Sequence, residues 1–309
     1  MPKNLNRRKF LKDSLLTSAG VVSALSFEEK ALLAAVSKTK EPNAPLPKEP
    51  VKGLPTGKIG NVTISRLIAG GNLISGFAHS RNLIYVSELL KHYFTDEKIF
   101  ETLRLCEENG INTAILRLDD DIIRILNKYR KDMGGKIQWI AQVKVKESDL
   151  TGGAKQAIDN GAVGIFSHGA VGDEFFKNGK IELLGKFVSF VQDKKLIAGI
   201  GAHSLDVPVA VEKTGIKPDF YFKTLNNADY ECKDPQQVIE FMEKLQKPWI
   251  AFKILGAGVT HPKEGFKYAF DNGADFIVAG MYDFQVKEDA AIAKEVLPGA
   301  QNRKRLWMA

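Results

Sequence analysis

ENGINTAIL (108–116), DNGAVGIF (159–166) and DNGADFIV (271–278) are three versions of one phrase. Each closes a helical pattern with an acidic or amide residue and a glycine, and each continues as an apolar run. KTGIKPDFYF (213–222) is a looser fourth copy. Glycine suits the left-handed position that terminates a helix. An unbroken apolar run suits a strand covered on both faces. A helix, a stop and a doubly buried strand, repeated along a chain, predict parallel βα units.

Working outward from these copies, strands are expected at 64–71, 111–117, 138–144, 162–168, 196–202, 220–225, 248–255 and 275–280. Amphipathic helices are expected between them, at 96–108, 120–132, 153–160, 182–193, 206–214, 235–246, 262–272 and 286–296. Eight such units within about 250 residues predict an α/β fold, the closed (β/α)8 TIM barrel, over residues 58–297. An open doubly wound sheet is the competing architecture. The absence of G-x-G-x-x-G after the first strand weighs against it.

The 309-residue chain is 44% hydrophobic and 26% charged, which is ordinary globular composition. Its formal net charge is +7. The first 35 residues hold six bases and three acids, so removing them lowers the charge to +4. That is too mild and too scattered to suggest nucleic acid as a partner. The basic end NRKRL (302–306) reads as part of a solvated tail, 298–309. Two cysteines, Cys106 and Cys232, give no disulfide framework, and Cys106 falls in a helical pattern.

NRRKFLKDS (6–14) sets Arg7 and Arg8 before Phe10 and Leu11, and the mostly apolar SLLTSAGVVSALSF (14–27) follows. That segment is too short and too weakly apolar to span a bilayer. Residues 1–35 resemble a cleavable twin-arginine export signal. The resemblance implies the export machinery as a partner, a periplasmic or cell-envelope location, and no stable membrane anchor after cleavage. Residues 36–57 are proline-rich, with five prolines in 38–57, and read as an extended linker.

Chemistry in such barrels sits at the carboxyl ends of the strands. Asn72 follows the first expected strand, Arg117 ends the second, Lys144 ends the third and His168 ends the fourth. His203 lies just past the fifth. Lys223 and Asn226 flank the end of the sixth, and Lys253 lies near the end of the seventh. So many ionisable groups ending apolar runs call for a shared small-molecule partner, because a buried charge is costly unless paired. The long connection 76–97 offers His79, Arg81 and Tyr85 as further substrate contacts. GAGVTHP (256–262) and AGMYDFQ (279–285) place Gly256, Gly258, Gly280, Met281 and Gln285 where barrels often hold a phosphate. Asp119, Asp120 and Asp121 open a helix, where acids favour the dipole. No H-x-H, H-E-x-x-H or paired-cysteine motif marks a metal site, although His168 and His203 with a carboxylate could hold one.

Lysine at the end of strand three, S-H-G (167–169) at the end of strand four and GIGAHS (199–204) at strand five together resemble the aldo-keto reductases, loosely over most of 58–297. The resemblance implies that His168 orients a substrate carbonyl and that Lys144 tunes the acid that protonates it. It also implies NADP(H) as a cofactor. The family's strand-two motif carries an aspartate with a tyrosine soon after. In GINTAILRLDDD (110–121) Ile115 stands about where that aspartate belongs, and no tyrosine follows. Tyr85 or Arg117 would have to replace the proton donor. Three functions stay open: an oxidoreductase on a small carbonyl or sugar-derived substrate; a redox-free lyase, isomerase or hydrolase on carbohydrate-like substrates, with or without a metal; and an exported binding protein.

Overall fold

The computed structural model describes residues 50–77 and 83–309, with the side chains of residues 301 and 302 excepted. The export signal, most of the linker, His79 and Arg81 lie outside the described residues.

Eight parallel strands form the centre: β3 (Leu67–Gly70), β4 (Thr113–Arg117), β5 (Gln138–Val143), β6 (Gly164–Ser167), β7 (Ile197–Ala202), β8 (Phe220–Thr224), β9 (Trp249–Phe252) and β10 (Phe276–Ala279). They close into a barrel in the order β10-β3-β4-β5-β6-β7-β8-β9. Every neighbouring pair is parallel. This is the (β/α)8 barrel, and each strand falls inside its expected range.

The helices are α1 (Ile84–Tyr93), α2 (Asp96–Glu108), α3 (Asp120–Lys131), α4 (Gly152–Asp159), α5 (Gly169–Lys177), α6 (Glu182–Asp193), α7 (Asp206–Thr214), α8 (Pro235–Lys244), α9 (Pro262–Asp271) and α10 (Asp283–Val296). Helix α3 shows how local sequence sets them. The Asp119 carboxylate accepts the Ile122 N–H at 2.8 Å and caps the first turn. Asp120 and Asp121 follow at the positive end of the dipole, and Lys128, Arg130 and Lys131 occupy the last turn. Ile122, Ile125, Leu126 and Tyr129, spaced at one helical face, are the buried residues. Helices α1 and α5 have no counterpart among the expected helices; both are inserted between a strand and its main helix.

Side chains alternate across each strand. Ile68, Ile115, Ile140, Phe166, Phe222, Ile250, Phe252 and Phe276 fill the barrel, and Trp139, Tyr221 and Trp249 pack in the larger cluster outside it. Burying each such side chain contributes roughly 1.5–3 kcal/mol. The stretch expected as one strand, 64–71, is two. A hairpin of β1 (Thr56–Ile59) and β2 (Val62–Ser65) is antiparallel, and β3 starts after Arg66. Ile59, Val62 and Ile64 of the hairpin belong to the interior cluster, so the hairpin plugs the amino end. The linker therefore ends earlier than residue 57: Val51 and Leu54 are buried, and the Val51 N–H donates to Asn109 Oδ1 at 2.8 Å.

The basic C-terminus is not a solvated tail. Arg303 and Arg305 are buried and grip the fully buried Asp275 at 3.0 Å and 2.6 Å. Arg66 donates to the Asp275 carbonyl at 2.9 Å and to the backbone oxygen of Ala309 at 2.6 Å. The Trp307 ring lies between the Arg303 guanidinium (3.5 Å) and that of Arg66 (4.2 Å). Burial lowers the Arg303 pKa to about 10, with Asp275 opposing the shift. A buried carboxylate demands cations, and these two arginines supply them.

Candidate active site

Continuing the inward register past Ile115, Ile140, Phe166 and Gly201 brings Arg117, Lys144, His168 and His203 to the carboxyl-end mouth. Strand six ends in histidine because the imidazole caps the next helix: Nδ1 of His168 accepts the Ala170 N–H at 3.1 Å. Burial, then the positive groups of His203, Lys144 and Lys253, lower the His168 pKa to about 4, with Asp173 opposing. The ring is therefore neutral at pH 7. With Nδ1 an acceptor, its proton is on Nε2. That nitrogen has no protein partner among the described residues.

His203 faces it, with ring centroids 6.4 Å apart. Asp173, from α5, anchors His203. Its carboxylate lies 2.7 Å from Nδ1 and accepts the backbone N–H groups of His203 and Ser204 at 3.1 Å and 2.9 Å. Gly169 makes the room, since a Cβ there would lie 2.8 Å from His203 Cε1. On its other side His203 Nε2 meets Glu231 Oε2 at 3.1 Å, and the same oxygen receives Lys253 Nζ at 3.2 Å. Lys253 also lies over the Tyr230 ring at 4.6 Å. Glu231 (φ 52°) and Lys253 (φ 58°) both occupy the left-handed region without being glycine. Such strain persists where the surroundings enforce it, and it clusters at functional sites.

The remaining expected residues divide. Lys144 is exposed at the mouth. Lys223 is 1% exposed and on the face opposite Phe222. Its ammonium donates to the His203 carbonyl at 2.7 Å and to Thr224 Oγ1 at 2.6 Å, so it supports His203 from behind. Burial lowers its pKa to about 8. Asn226 is buried and folds its own loop: it accepts the Ala228 and Tyr230 N–H groups and donates to the Tyr230 carbonyl. Arg117 pairs with Asp119 at 2.7 Å and stacks on Phe77 at 4.1 Å. Asn72 is exposed, and its carbonyl accepts the Phe77 N–H at 2.8 Å. Tyr85 lies on α1, 58% exposed.

Of the glycine-loop residues, Gly256 and Gly258 take positive φ in a short 3-10 turn. A Cβ on Gly280 would lie 3.1 Å from Leu73. Met281 is buried, and Gln285 Oε1 accepts the Tyr282 N–H in a capping box. Among the described residues, no group of three or more His, Cys, Asp or Glu is placed to hold a metal ion.

The structure thus joins His168, His203, Lys144 and Lys253 with two acids the sequence reading missed, Asp173 and Glu231. Asp173 had a signal: it sits one turn into the segment after S-H-G, beside Gly172. Glu231 had none, lying in the mixed-charge loop DYECKD (229–234).

Three solved structures set this geometry among known folds. A proposed aldo-keto reductase from Pseudomonas aeruginosa matches with a TM-score of 0.62 at 14% identity, over 82% of this chain and 99% of its own. The apo form of Gox0644 matches with a TM-score of 0.55 at 12% identity, over 82% and 97%. A single-residue variant of Gox0644 in complex with NADPH matches with a TM-score of 0.53 at 10% identity, over 79% and 94%. The likeness is one of fold. No family model and no curated protein matches the chain.

Proposed function

We propose that the chain is a barrel enzyme for a small carbonyl or sugar-derived substrate and that it acts by proton transfer at the mouth. The observation that carries this is the neutral His168, whose acceptor contact to the Ala170 N–H leaves Nε2–H to be donated. A substrate carbonyl oxygen is the natural acceptor. As negative charge develops there, the ammonium groups of Lys144 and Lys253 favour it. Glu231 supplies the base. Its Oε2 is held by His203 and Lys253, while Oε1 has no partner among the described residues and the side chain is 45% exposed. In the proposed step Oε1 removes a proton from the carbon next to the carbonyl, the electron pair moves onto the oxygen as His168 Nε2–H donates to it, and the proton returns to a neighbouring carbon. Isomerisation is the reaction class.

The NADP(H) reading meets an obstacle at one of its two glycine loops. The first turn of α10 already holds a carboxylate, Asp283, paired with Lys98 at 3.0 Å and hydrogen-bonded by Tyr93. That carboxylate would repel a phosphate. The oxidoreductase reading is supported by the resemblance at Lys144 and His168 and by the likeness in fold to a proposed aldo-keto reductase and to an NADPH-bound structure. NADPH titration followed by fluorescence separates the readings. Saturable binding below about 1 mM, worth about −4 kcal/mol, restores the oxidoreductase.

The direct test incubates the protein in D2O with a panel of aldoses, ketoses and keto-sugars and follows carbon-bound hydrogen by NMR. We expect exchange next to one carbonyl, reduced more than tenfold in both His168→Ala and Glu231→Gln, at about 1.4 kcal/mol per decade. A panel without exchange, or variants that exchange normally, overturns the reading. Export belongs to the same proposal. Arg7→Lys with Arg8→Lys should retain the protein in the cytoplasm, and its unchanged appearance outside would exclude the twin-arginine route.

A further inference from the structure

The ionisable residues run round the mouth from β4 to β9. Next to β9, at β10, aromatic rings take over. Phe284 is 64% exposed and stacks on Tyr282, with centroids 5.2 Å apart and planes 10° apart. Tyr282 stacks in turn on the buried Phe94 at 5.5 Å and 17°. Tyr93 braces both edge-on, at 5.1 Å from Phe94 and 5.3 Å from Tyr282. The pile is therefore rooted in the core and ends in an open ring whose orientation is fixed before any ligand arrives.

A polar edge runs beside it. Asp283 accepts from the Tyr93 hydroxyl and from Lys98. An aromatic face next to a carboxylate, a phenol and an ammonium suits an uncharged ligand with a C–H face and a hydroxyl edge. The electron-rich ring face attracts the C–H bonds, and the Tyr93 hydroxyl, whose hydrogen goes to Asp283, keeps its oxygen free to accept a ligand hydroxyl. We infer that Phe284, backed by Tyr282 and edged by Tyr93, is a stacking subsite for one ring of a neutral saccharide of two or more units. The inference rests on the reading that the mouth takes a sugar-derived substrate.

Geometry sets the length. In a barrel of eight strands β10 stands opposite β6, which carries His168. Eight strands about 4.8 Å apart and tilted by about 36° enclose a barrel about 15 Å across. One sugar ring on Phe284 cannot also reach His168, whereas a disaccharide crosses most of that gap.

The test uses the full chain and isothermal titration with glucose, cellobiose, maltose, lactose and sucrose, and with adenosine as a planar control. We expect at least one disaccharide to bind more tightly than glucose. Phe284→Ala should weaken it about three- to tenfold, and Phe284→Trp should restore binding, as a stacking contact worth 0.5–1.5 kcal/mol requires. Melting curves confirm that both variants fold. Disaccharide binding unchanged in Phe284→Ala, glucose bound as well as every disaccharide, no saccharide bound at all, or adenosine bound in their place overturns the inference. Disaccharide binding through Phe284 with no hydrogen exchange in the D2O test leaves this subsite standing while the proton-transfer reading falls.

Discussion

Both ends of the barrel are built on a carboxylate among basic side chains, and the two are satisfied very differently. At the amino end Asp275 is fully buried and takes four donors, from Arg303, Arg305, Trp249 N–H and Met308 N–H. Nothing of its charge is left over. At the carboxyl end Glu231 is 45% exposed, and its two partners, His203 and Lys253, share a single oxygen. Saturated charge of the first kind holds a fold together; half-saturated charge of the second kind is available to a ligand. Counting donors on a carboxylate thus separates an acid that holds the fold from one left open to a ligand within one molecule.

The largest effect expected from this contrast is at the floor. Asp275→Ala leaves Arg303 and Arg305 buried without a counterion, a change that costs about 3–5 kcal/mol. At about 2–4 °C per kcal/mol for a domain of this size, the melting temperature should fall by about 6–20 °C. His168→Ala, at the mouth, loses a helix cap worth about 0.5–2 kcal/mol and should lower the melting temperature by about 1–8 °C, less than Asp275→Ala. Equal melting temperatures for the two variants would break the comparison. Gly169→Ala should come next. The new methyl group meets the His203 ring, so the ring must turn away from Glu231, at about 1–3 kcal/mol. Calorimetry should show a modest loss of stability, and the exchange assay a loss close to that of Glu231→Gln.

A third carboxylate belongs to neither end. Asp289 on α10 is 3% exposed, and burial, then Glu288, raise its pKa to about 7. It has no hydrogen-bond or ion-pair partner among the described residues. A raised carboxyl pKa means that the ionised form costs stability. This cost is absent below about pH 4, grows as the pH rises, and is complete above about 7. Asp289→Asn should therefore stabilise the protein at pH 8 by about 1–3 kcal/mol and change nothing at pH 4. A gain equal at both pH values would show that ionisation is not the cause. The smallest effect concerns His168. Its imidazole should titrate near pH 4 by NMR, and Lys144→Met should move that value upward by removing a repelling charge. Because the unfolded chain takes up this proton at higher pH, the stability contributed by the neutral ring is lost as pH falls from 6.5 towards 4.

The barrel was legible because its signal is periodic and local. Helix, glycine and apolar run recur whatever the tertiary contacts, so all eight strands could be placed from the sequence. His168 and Lys144 were legible for the same reason, since each ends such a run. The floor was not. Arg303 and Arg305 look like surface charge until Asp275, some 30 residues earlier, is brought beneath them. Lys223 was placed at the correct strand end, but on the face that supports His203, because alternation turns on a single residue. Glu231 lies in a loop, where no period relates sequence to direction.

The left-handed residues at the mouth carry a consequence for evolvability. Of the five non-glycine residues with positive φ among the described residues, Asp229, Glu231, Lys253 and Ala257 lie in the two loops after β8 and β9. Each holds about 1–3 kcal/mol of backbone strain that glycine would release. A laboratory selection that rewards heat resistance alone would find those exchanges among its easiest gains, and at 231 and 253 it would discard the carboxylate and the ammonium with the strain. Lys195, the fifth such residue, lies before β7 at the barrel's other end. There the same exchange to glycine offers endurance without touching the mouth.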